Sequence, residues 1–242
     1  MIVTEPLVYE SEIGRFEGSV SWDDAQAGPR PAVMIAPTFK GQSAFETEKA
    51  AAIAALGYVG FAIDIYGQGK RASTPEAASQ LMAVLNDDRS RLLAHMQLAL
   101  YTVRQLPQVD ETQIAAIGFC FGGKCVLDLA RSGADIRAAV TFHGIYDPPP
   151  EAQTQTASQM PAAVLVLHGW EDPLAPPADT MALANELTRR GADWQIHMYG
   201  QTGHAFTNPQ AQSPESGMFF VPKAAERGWQ AMTNFLAETL VS

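Results

Sequence analysis

The sequence has few cysteines, no run of basic residues and no long apolar segment. Its 242 residues include two cysteines, at positions 120 and 125, too few and too close together for the disulfide framework of a small secreted domain. The 16 lysines and arginines are scattered and the net charge is −10, which argues against a nucleic-acid partner because phosphate binding needs clustered basic side chains. No stretch approaches the roughly 20 apolar residues that cross a bilayer, so we expect no membrane partner.

The first ten residues, MIVTEPLVYE, carry neither the positive nor the apolar segment of a secretory signal. We therefore expect a cytoplasmic protein. Hydrophobic residues make up 47% of the chain, which is enough to bury a substantial core, and the length suits one α/β domain. The prediction is a single domain over residues 1–242, present as a monomer or a homodimer.

Short apolar runs alternate with helical patterns along most of the chain. The runs are continuous, as is typical of strands covered on both faces, and they lie at 31–37, 58–65, 113–119, 137–143, 162–169 and 194–200. The helical patterns lie at 45–56, 75–105, 122–132, 178–190 and 222–240. Residues 7–10 and 13–22 predict an opening hairpin, and Pro148 to Met160 predict a surface loop. The alternation predicts an α/β fold, a mainly parallel sheet flanked by helices.

The segment Gly118-Phe119-Cys120-Phe121-Gly122 follows one of these runs and precedes a helical pattern. This is the context of a nucleophile elbow of the G-x-S-x-G type, with sulfur in place of oxygen. The helix N-terminus favours a thiolate, and the Phe121 backbone N–H is a candidate oxyanion donor. Glycines on both sides of Cys120 favour this interpretation over that of a buried structural cysteine, which is the interpretation we give to Cys125.

Two further strand ends offer an acid and a base. Asp172 lies in a turn after the run at 162–169, and His204 lies in a glycine-containing loop after the run at 194–200. The order nucleophile, acid, histidine is that of α/β-hydrolases, so we predict Cys120, Asp172 and His204 as the catalytic residues. Glu171 is the rival carboxylate.

The other histidines have simpler interpretations. His168 and His197 lie inside or at the end of apolar runs, and His95 lies on a helix face, so these three are interpreted as structural. His143 follows another predicted strand and is a candidate for lining the pocket. The histidines and cysteines lack the spacing of a metal site, and no metal is predicted.

The motifs resemble those of the dienelactone hydrolase (carboxymethylenebutenolidase) family over nearly the whole chain. The matching segments are FAIDIYGQGK, AAIGFCFGGKCVLDLARSGAD, TFHG, VLVLHGWEDPLAPP, YGQTGHAFTNP and AERGWQAMTNFLAETL. The resemblance implies an α/β-hydrolase fold without a large cap domain and the triad Cys120, Asp172 and His204. It also implies that no cofactor is needed and that the substrate is a small ester or lactone.

Two positions depart from the family pattern. Members of the family carry a glutamate one residue before the second oxyanion donor, which is predicted here as Phe39, and this chain has Thr38 instead. They also carry an arginine four residues after the catalytic histidine, where this chain has Asn208. Thr38 and Asn208 are candidate substrate-binding residues, together with His143 and Lys40. Lys40, and Arg89 or Arg91 on the predicted helix at 75–105, are candidates to replace the missing positive charge.

Three functions from different classes remain open at this point. The first is a hydrolase of small esters, lactones or thioesters that works through a covalent thioester. The second is a catalytically silent α/β-hydrolase scaffold that binds a ligand or a protein. The third is a redox protein that uses Cys120 and Cys125, although a spacing of five residues places the two side chains on different helix faces and no C-x-x-C is present.

Overall fold

The computed structural model describes residues 1–150 and 159–240 of the 242. The described chain consists of two compact units, residues 1–117 with Leu240, and residues 118–239. None of the helices in the described ranges has the length and apolarity that a membrane span needs. The prediction of a single domain over residues 1–242 stays a prediction.

The first unit begins with a long antiparallel hairpin and continues as alternating strands and helices. Its strands are β1 (Ile2–Ser11), β2 (Gly14–Asp23), β3 (Arg30–Ala36), β4 (Val59–Ala62) and most of β5 (Val109–Phe119). They are ordered β1-β2-β4-β3-β5, with β3 and β4 parallel. Its helices are α1 (Ala44–Ala55), α2 (Pro75–Asp87) and α3 (Arg89–Arg104). The predicted hairpin is confirmed and pairs from Ile2 with Asp23 to Ser11 with Gly14.

The described residues of the second unit include three parallel strands and three helices. The strands are β6 (Ala138–Phe142), β7 (Ala163–Gly169) and β8 (Trp194–Tyr199), in that order. The helices are α4 (Phe121–Arg131), α5 (Pro177–Arg189) and α6 (Pro222–Thr239). Two short strands, β9 (Gln212–Ser213) and β10 (Met218–Phe219), flank a turn of 3-10 helix at Pro214–Ser216. Every residue of β6 and β7 is buried, as continuous apolar runs require.

The predicted α/β fold with a mainly parallel sheet is confirmed, and one predicted element is wrong. The helix expected over 75–105 is two helices, α2 and α3, which meet at Asp88. Asp88 leaves the helical conformation, and its carboxylate accepts a hydrogen bond from the Arg91 N–H at 2.9 Å. A side chain that caps a new helix in this way ends the preceding one. The predicted loop at 148–160 falls mostly outside the described residues.

Candidate active site

Cys120 occupies a strained turn between β5 and α4. Its backbone has φ 56° and ψ −118°, a conformation that costs free energy for any residue with a side chain. Two hydrogen bonds hold it: the Cys120 N–H donates to the Phe142 carbonyl at 3.1 Å, and the Gly123 N–H donates to the Cys120 carbonyl at 3.0 Å. The half-buried Cys120 therefore has a backbone fixed by β6 and by the first turn of α4.

Glycine at position 118 is required by this turn. A Cβ atom there would collide with the Gly122 carbonyl, a backbone group that cannot rotate away. At Gly123 a Cβ atom would lie 2.6 Å from the Thr141 hydroxyl and 2.7 Å from the Gly144 Cα. The small residues around Cys120 thus allow β5, α4 and β6 to approach closely enough to form the elbow.

Asp172, the predicted acid, lies in the turn that follows β7. The Asp172 side chain is fully buried, and its Oδ2 accepts a hydrogen bond from the His204 Nδ1 at 2.8 Å. Its Oδ1 accepts from the Leu174 N–H, also at 2.8 Å. Glu171, the rival carboxylate, instead accepts from the Thr202 N–H at 2.7 Å. Asp172 therefore orients the His204 ring, while Glu171 stabilises the loop that precedes His204.

His204 is held on both sides of its backbone. Its N–H donates to the Gly217 carbonyl at 2.7 Å, and its carbonyl accepts from the Phe219 N–H at 3.2 Å. With Nδ1 on Asp172, Nε2 is the ring nitrogen left for other chemistry.

The charge state of His204 depends on Cys120. Burial of the imidazole opposes its positive charge, but the neighbouring Cys120 sulfur and the Asp172 carboxylate together raise the pKa of His204 to about 10. A protonated imidazole next to the sulfur favours the thiolate.

His143, a candidate pocket residue, is buried against His204. Its ring is 2% exposed, and the two imidazole centroids are 4.9 Å apart in an edge-to-face arrangement. The His143 Nε2 lies 2.8 Å from the Thr207 hydroxyl. Burial, and then the neighbouring His204 and His168, hold the pKa of His143 well below its usual value, so His143 is a neutral ring in contact with a charged one.

The loop after β3 carries three of the predicted residues and belongs to the first unit. The Thr38 N–H donates to the Glu46 carboxylate at 3.1 Å, and the Phe39 carbonyl accepts from the Tyr66 hydroxyl at 3.0 Å. Lys40 is exposed, and its carbonyl accepts from the Ala72 N–H at 3.0 Å. The loop is thus anchored at three consecutive residues.

The remaining candidates differ in exposure. Asn208 lies in the loop after His204, where its side-chain oxygen accepts from the Gln210 N–H at 3.0 Å and closes a turn. Arg89 is buried at the start of α3, whereas Arg91 is exposed. These contacts describe local roles for the three side chains and assign none of them to a substrate.

The structure groups most predicted site residues in the second unit. This unit contains Cys120, Phe121, His143, Asp172, His204 and Asn208, whereas Thr38, Phe39 and Lys40 lie in the first unit. Sequence reasoning missed Glu46, Thr207 and Tyr146. Only Glu46 had a usable signal, because Ser43 and Glu46 have the spacing of a helix capping box.

Together, the nucleophile elbow, the buried Asp172–His204 pair and the parallel strands that carry them define the α/β-hydrolase class. Comparison with known proteins identifies the family within this class, since the model of the dienelactone hydrolase family matches residues 16–240. The chain belongs to the dienelactone hydrolase family. It is accordingly an ester or lactone hydrolase.

Solved structures and curated relatives agree with this assignment. A protein called m3DLH is 36% identical, with a TM-score of 0.92 and coverage of 99% of both chains. A dienelactone hydrolase-like promiscuous phosphotriesterase from metagenomic libraries is 33% identical, with a TM-score of 0.91 and the same coverage. The probable 2-oxo-3-(5-oxofuran-2-ylidene)propanoate lactonase of Bradyrhizobium sp is 26% identical over 185 residues, 74% of each chain.

Proposed function

We propose that this hydrolase cleaves small carboxylic esters and lactones through a thioester on Cys120, with His204 and Asp172 as the other members of a triad. One observation supports the proposal most: Asp172 holds His204 by Nδ1 at 2.8 Å and leaves Nε2 beside the sulfur. A nucleophile, a base and a residue that orients the base make up the arrangement of covalent acyl transfer.

In the first half of the proposed reaction, the Cys120 thiolate attacks the carbonyl carbon and forms a C–S bond. The C–O bond to the alcohol then breaks, and the His204 imidazolium gives its proton to the departing alkoxide. In a lactone the alcohol remains part of the same molecule. We propose the N–H of Phe121, directly after the nucleophile, and the N–H of Phe39, in the loop after β3, as donors to the oxyanion.

In the second half, His204 acts as a base. Once the sulfur is acylated its negative charge is gone, and with it the interaction that raises the pKa of His204 most. The neutral imidazole takes a proton from water as the water oxygen attacks the thioester carbonyl. The C–S bond breaks, the acid leaves, and the thiolate–imidazolium pair is restored.

The proposed partner is a small molecule. The relative named as a lactonase supports a lactone substrate, and Thr38, Lys40, His143 and Asn208 are the side chains proposed to contact it. The proposed chemistry takes place in the cytoplasm and needs only protein groups and water.

A second candidate activity is phosphotriester hydrolysis. The similarity that favours it is the 33% identity over 99% of both chains to a promiscuous phosphotriesterase of this family. The same thiolate would attack phosphorus and displace an aryloxide, and water would then cleave the P–S bond. An aryl phosphotriester assayed beside the esters tests this activity with the same variants.

The experiment that tests the main proposal compares wild type with two cysteine variants. Wild type should hydrolyse p-nitrophenyl acetate and a simple lactone, and Cys120→Ala should lose at least about a thousandfold in kcat, as other catalytic nucleophiles do. Cys125→Ala is the matched control, since Cys125 is fully buried in α4, and it should keep the wild-type rate. Equal rates in wild type and Cys120→Ala would support the silent scaffold instead, and equal losses in both variants would contradict a specific role for Cys120.

A further inference from the structure

His168 lies next to Asp172, the acid of the proposed triad. It is the last residue but one of β7, its side chain is fully buried, and its Nδ1 is 3.9 Å from Oδ2 of Asp172. The same oxygen accepts the hydrogen bond from His204. A protonated His168 would therefore place a second positive charge near the carboxylate oxygen that His204 needs.

The hydrogen bonds of His168 define its tautomer. Its Nε2 lies 2.8 Å from the Ala175 carbonyl, which only accepts, so Nε2 carries a hydrogen. A neutral imidazole has one N–H, and its other nitrogen is an acceptor. The Nδ1 of His168 is therefore the acceptor for the Tyr146 hydroxyl at 2.6 Å.

The Tyr146 hydroxyl keeps its proton and so remains a hydrogen-bond donor. Its ring is 3% exposed, and burial, with the nearby Asp172 charge, raises the pKa of its phenol well above the usual value. Its backbone carbonyl accepts from the Arg131 guanidinium at 2.8 Å. The hydroxyl thus stays protonated and, beside the Thr141 hydroxyl, can donate to the His168 Nδ1.

We propose that Tyr146 is a positioning residue that keeps His168 neutral and so reserves the Asp172 carboxylate for His204. The inference rests on the proposed function, in which Asp172 orients the base. By donating to the Nδ1 lone pair, the Tyr146 hydroxyl stabilises the neutral ring, because a proton on Nδ1 would require this hydroxyl to turn and accept instead.

Several neighbouring groups raise or lower the pKa of His168. Burial lowers the pKa of His168, whereas the Asp172 carboxylate and the Asp179 carboxylate of α5 favour its charged form and His204 disfavours it. The titratable groups that face His168 are Tyr146, Asp172, Asp179, His204 and His143. Two carboxylates thus favour a proton on His168, and the hydrogen bond that Tyr146 donates to Nδ1 opposes it.

A charged His168 would also weaken the acid. Asp172 has two hydrogen-bond donors in the structure, Leu174 at Oδ1 and His204 at Oδ2. An imidazolium at 3.9 Å would share Oδ2 and reduce the electrostatic support that Asp172 gives to the His204 cation. The expected consequence is activity lost on the acidic side of the pH profile.

The test is Tyr146→Phe, with Tyr9→Phe as the matched control. Tyr9 also has a buried hydroxyl, which donates to the Asp64 carbonyl at 2.7 Å in the first unit. Nitrogen-15 NMR of the histidine rings reports the protonation of His168 against pH, and kcat/KM for p-nitrophenyl acetate is measured over the same range. In Tyr146→Phe the pKa of His168 and the acidic limb of kcat/KM should both rise by about one unit or more, the size of shift that one nearby opposite charge produces. Neither should move in Tyr9→Phe.

Two further measurements make the result decisive. In wild type, the pKa of His168 should lie below the ordinary histidine value of about 6.5, with the Nε2–H tautomer present above that pKa. A pKa of His168 at or above about 6.5 would overturn the proposal whether or not Tyr146→Phe folds. The double variant Tyr146→Phe/His168→Gln carries no group that can gain a proton there and should recover the wild-type acidic limb.

An unmoved His168 titration and an unmoved pH profile in Tyr146→Phe would also overturn the proposal. Failure of the proposed function is visible separately, as hydrolysis that does not depend on Cys120. The His168 titration decides the role of Tyr146 in that case as well.

Discussion

The imidazole rings of His143 and His204 meet edge to face, with centroids 4.9 Å apart and an interplanar angle of 65°. His143 is placed by its backbone N–H, which donates to the Leu167 carbonyl at 2.8 Å, and by the Thr207 hydroxyl at its Nε2. Thr207 lies three residues after His204, in the same loop. The hydrogen bond between His143 and Thr207 therefore couples the end of β6 to the loop that carries the proposed base.

This coupling predicts a difference between two substitutions at position 207. Thr207→Val keeps the shape but removes the hydroxyl, leaving the buried His143 Nε2 without a partner, which costs about 1–3 kcal/mol. We expect kcat for p-nitrophenyl acetate to fall about tenfold, which corresponds to about 1.4 kcal/mol, with KM unchanged. Thr207→Ser retains the hydroxyl and should retain the rate. Equal rates in the two variants would show that the hydrogen bond does not position His204.

A second prediction concerns the charge of His204. The Cys120 sulfur contributes to the pKa of about 10, so Cys120→Ala removes that support while burial of the ring still disfavours the charge. The pKa of His204, measured by nitrogen-15 NMR, should fall by about one unit or more. Cys125→Ala should leave it unchanged. An unchanged value in Cys120→Ala would mean that the sulfur and the imidazole do not form an ion pair.

A third prediction concerns Glu46, the buried carboxylate at the start of α1. Its Oε1 accepts from the Thr38 N–H, and its Oε2 accepts from the Ser43 N–H and hydroxyl. Burial raises the pKa of this carboxyl group. Glu46→Gln turns one acceptor into a donor that faces a donor, and should lower the free energy of unfolding by about 1–3 kcal/mol.

The effect of Glu46→Gln on catalysis tests the loop after β3. Because Thr38 precedes the proposed oxyanion donor Phe39, kcat should fall with little change in KM. Glu48→Gln, at an exposed position on the same helix, is the control for both measurements and should match wild type. If Glu46→Gln lowers the free energy of unfolding but keeps the wild-type kcat, the stability of this loop does not affect catalysis.

The sequence predicted most of the fold because the apolar runs are continuous and buried. The run at 162–169, for example, is β7 at Ala163–Gly169. The division of the 75–105 helix was missed because periodicity continues across Asp88, and a capping side chain interrupts the backbone without interrupting the apolar pattern. Position at strand ends also led to the prediction of Asp172 over Glu171; in the structure Asp172 accepts a hydrogen bond from His204, whereas Glu171 accepts from the Thr202 N–H.

The supporting residues were not predictable in this way. Tyr146 and His168 are 22 residues apart, and His143 and Thr207 are 64 apart. No local pattern joins such pairs, since they meet only when neighbouring strands bring them to the same edge. The interpretation of His168 as structural missed that its ring faces the acid, because a buried histidine in an apolar run gives no sign of its partner.

In the proposed reaction, Cys120 carries the acyl group between the two halves of each turnover. Rapid mixing of wild type with p-nitrophenyl acetate, followed by an acid quench and peptide mass spectrometry, locates this group. We expect one acetyl group on the peptide that contains Cys120, which accumulates with a burst of p-nitrophenol and is absent from Cys120→Ala. An acetyl group on another residue, or full turnover in Cys120→Ala, would contradict this role of Cys120.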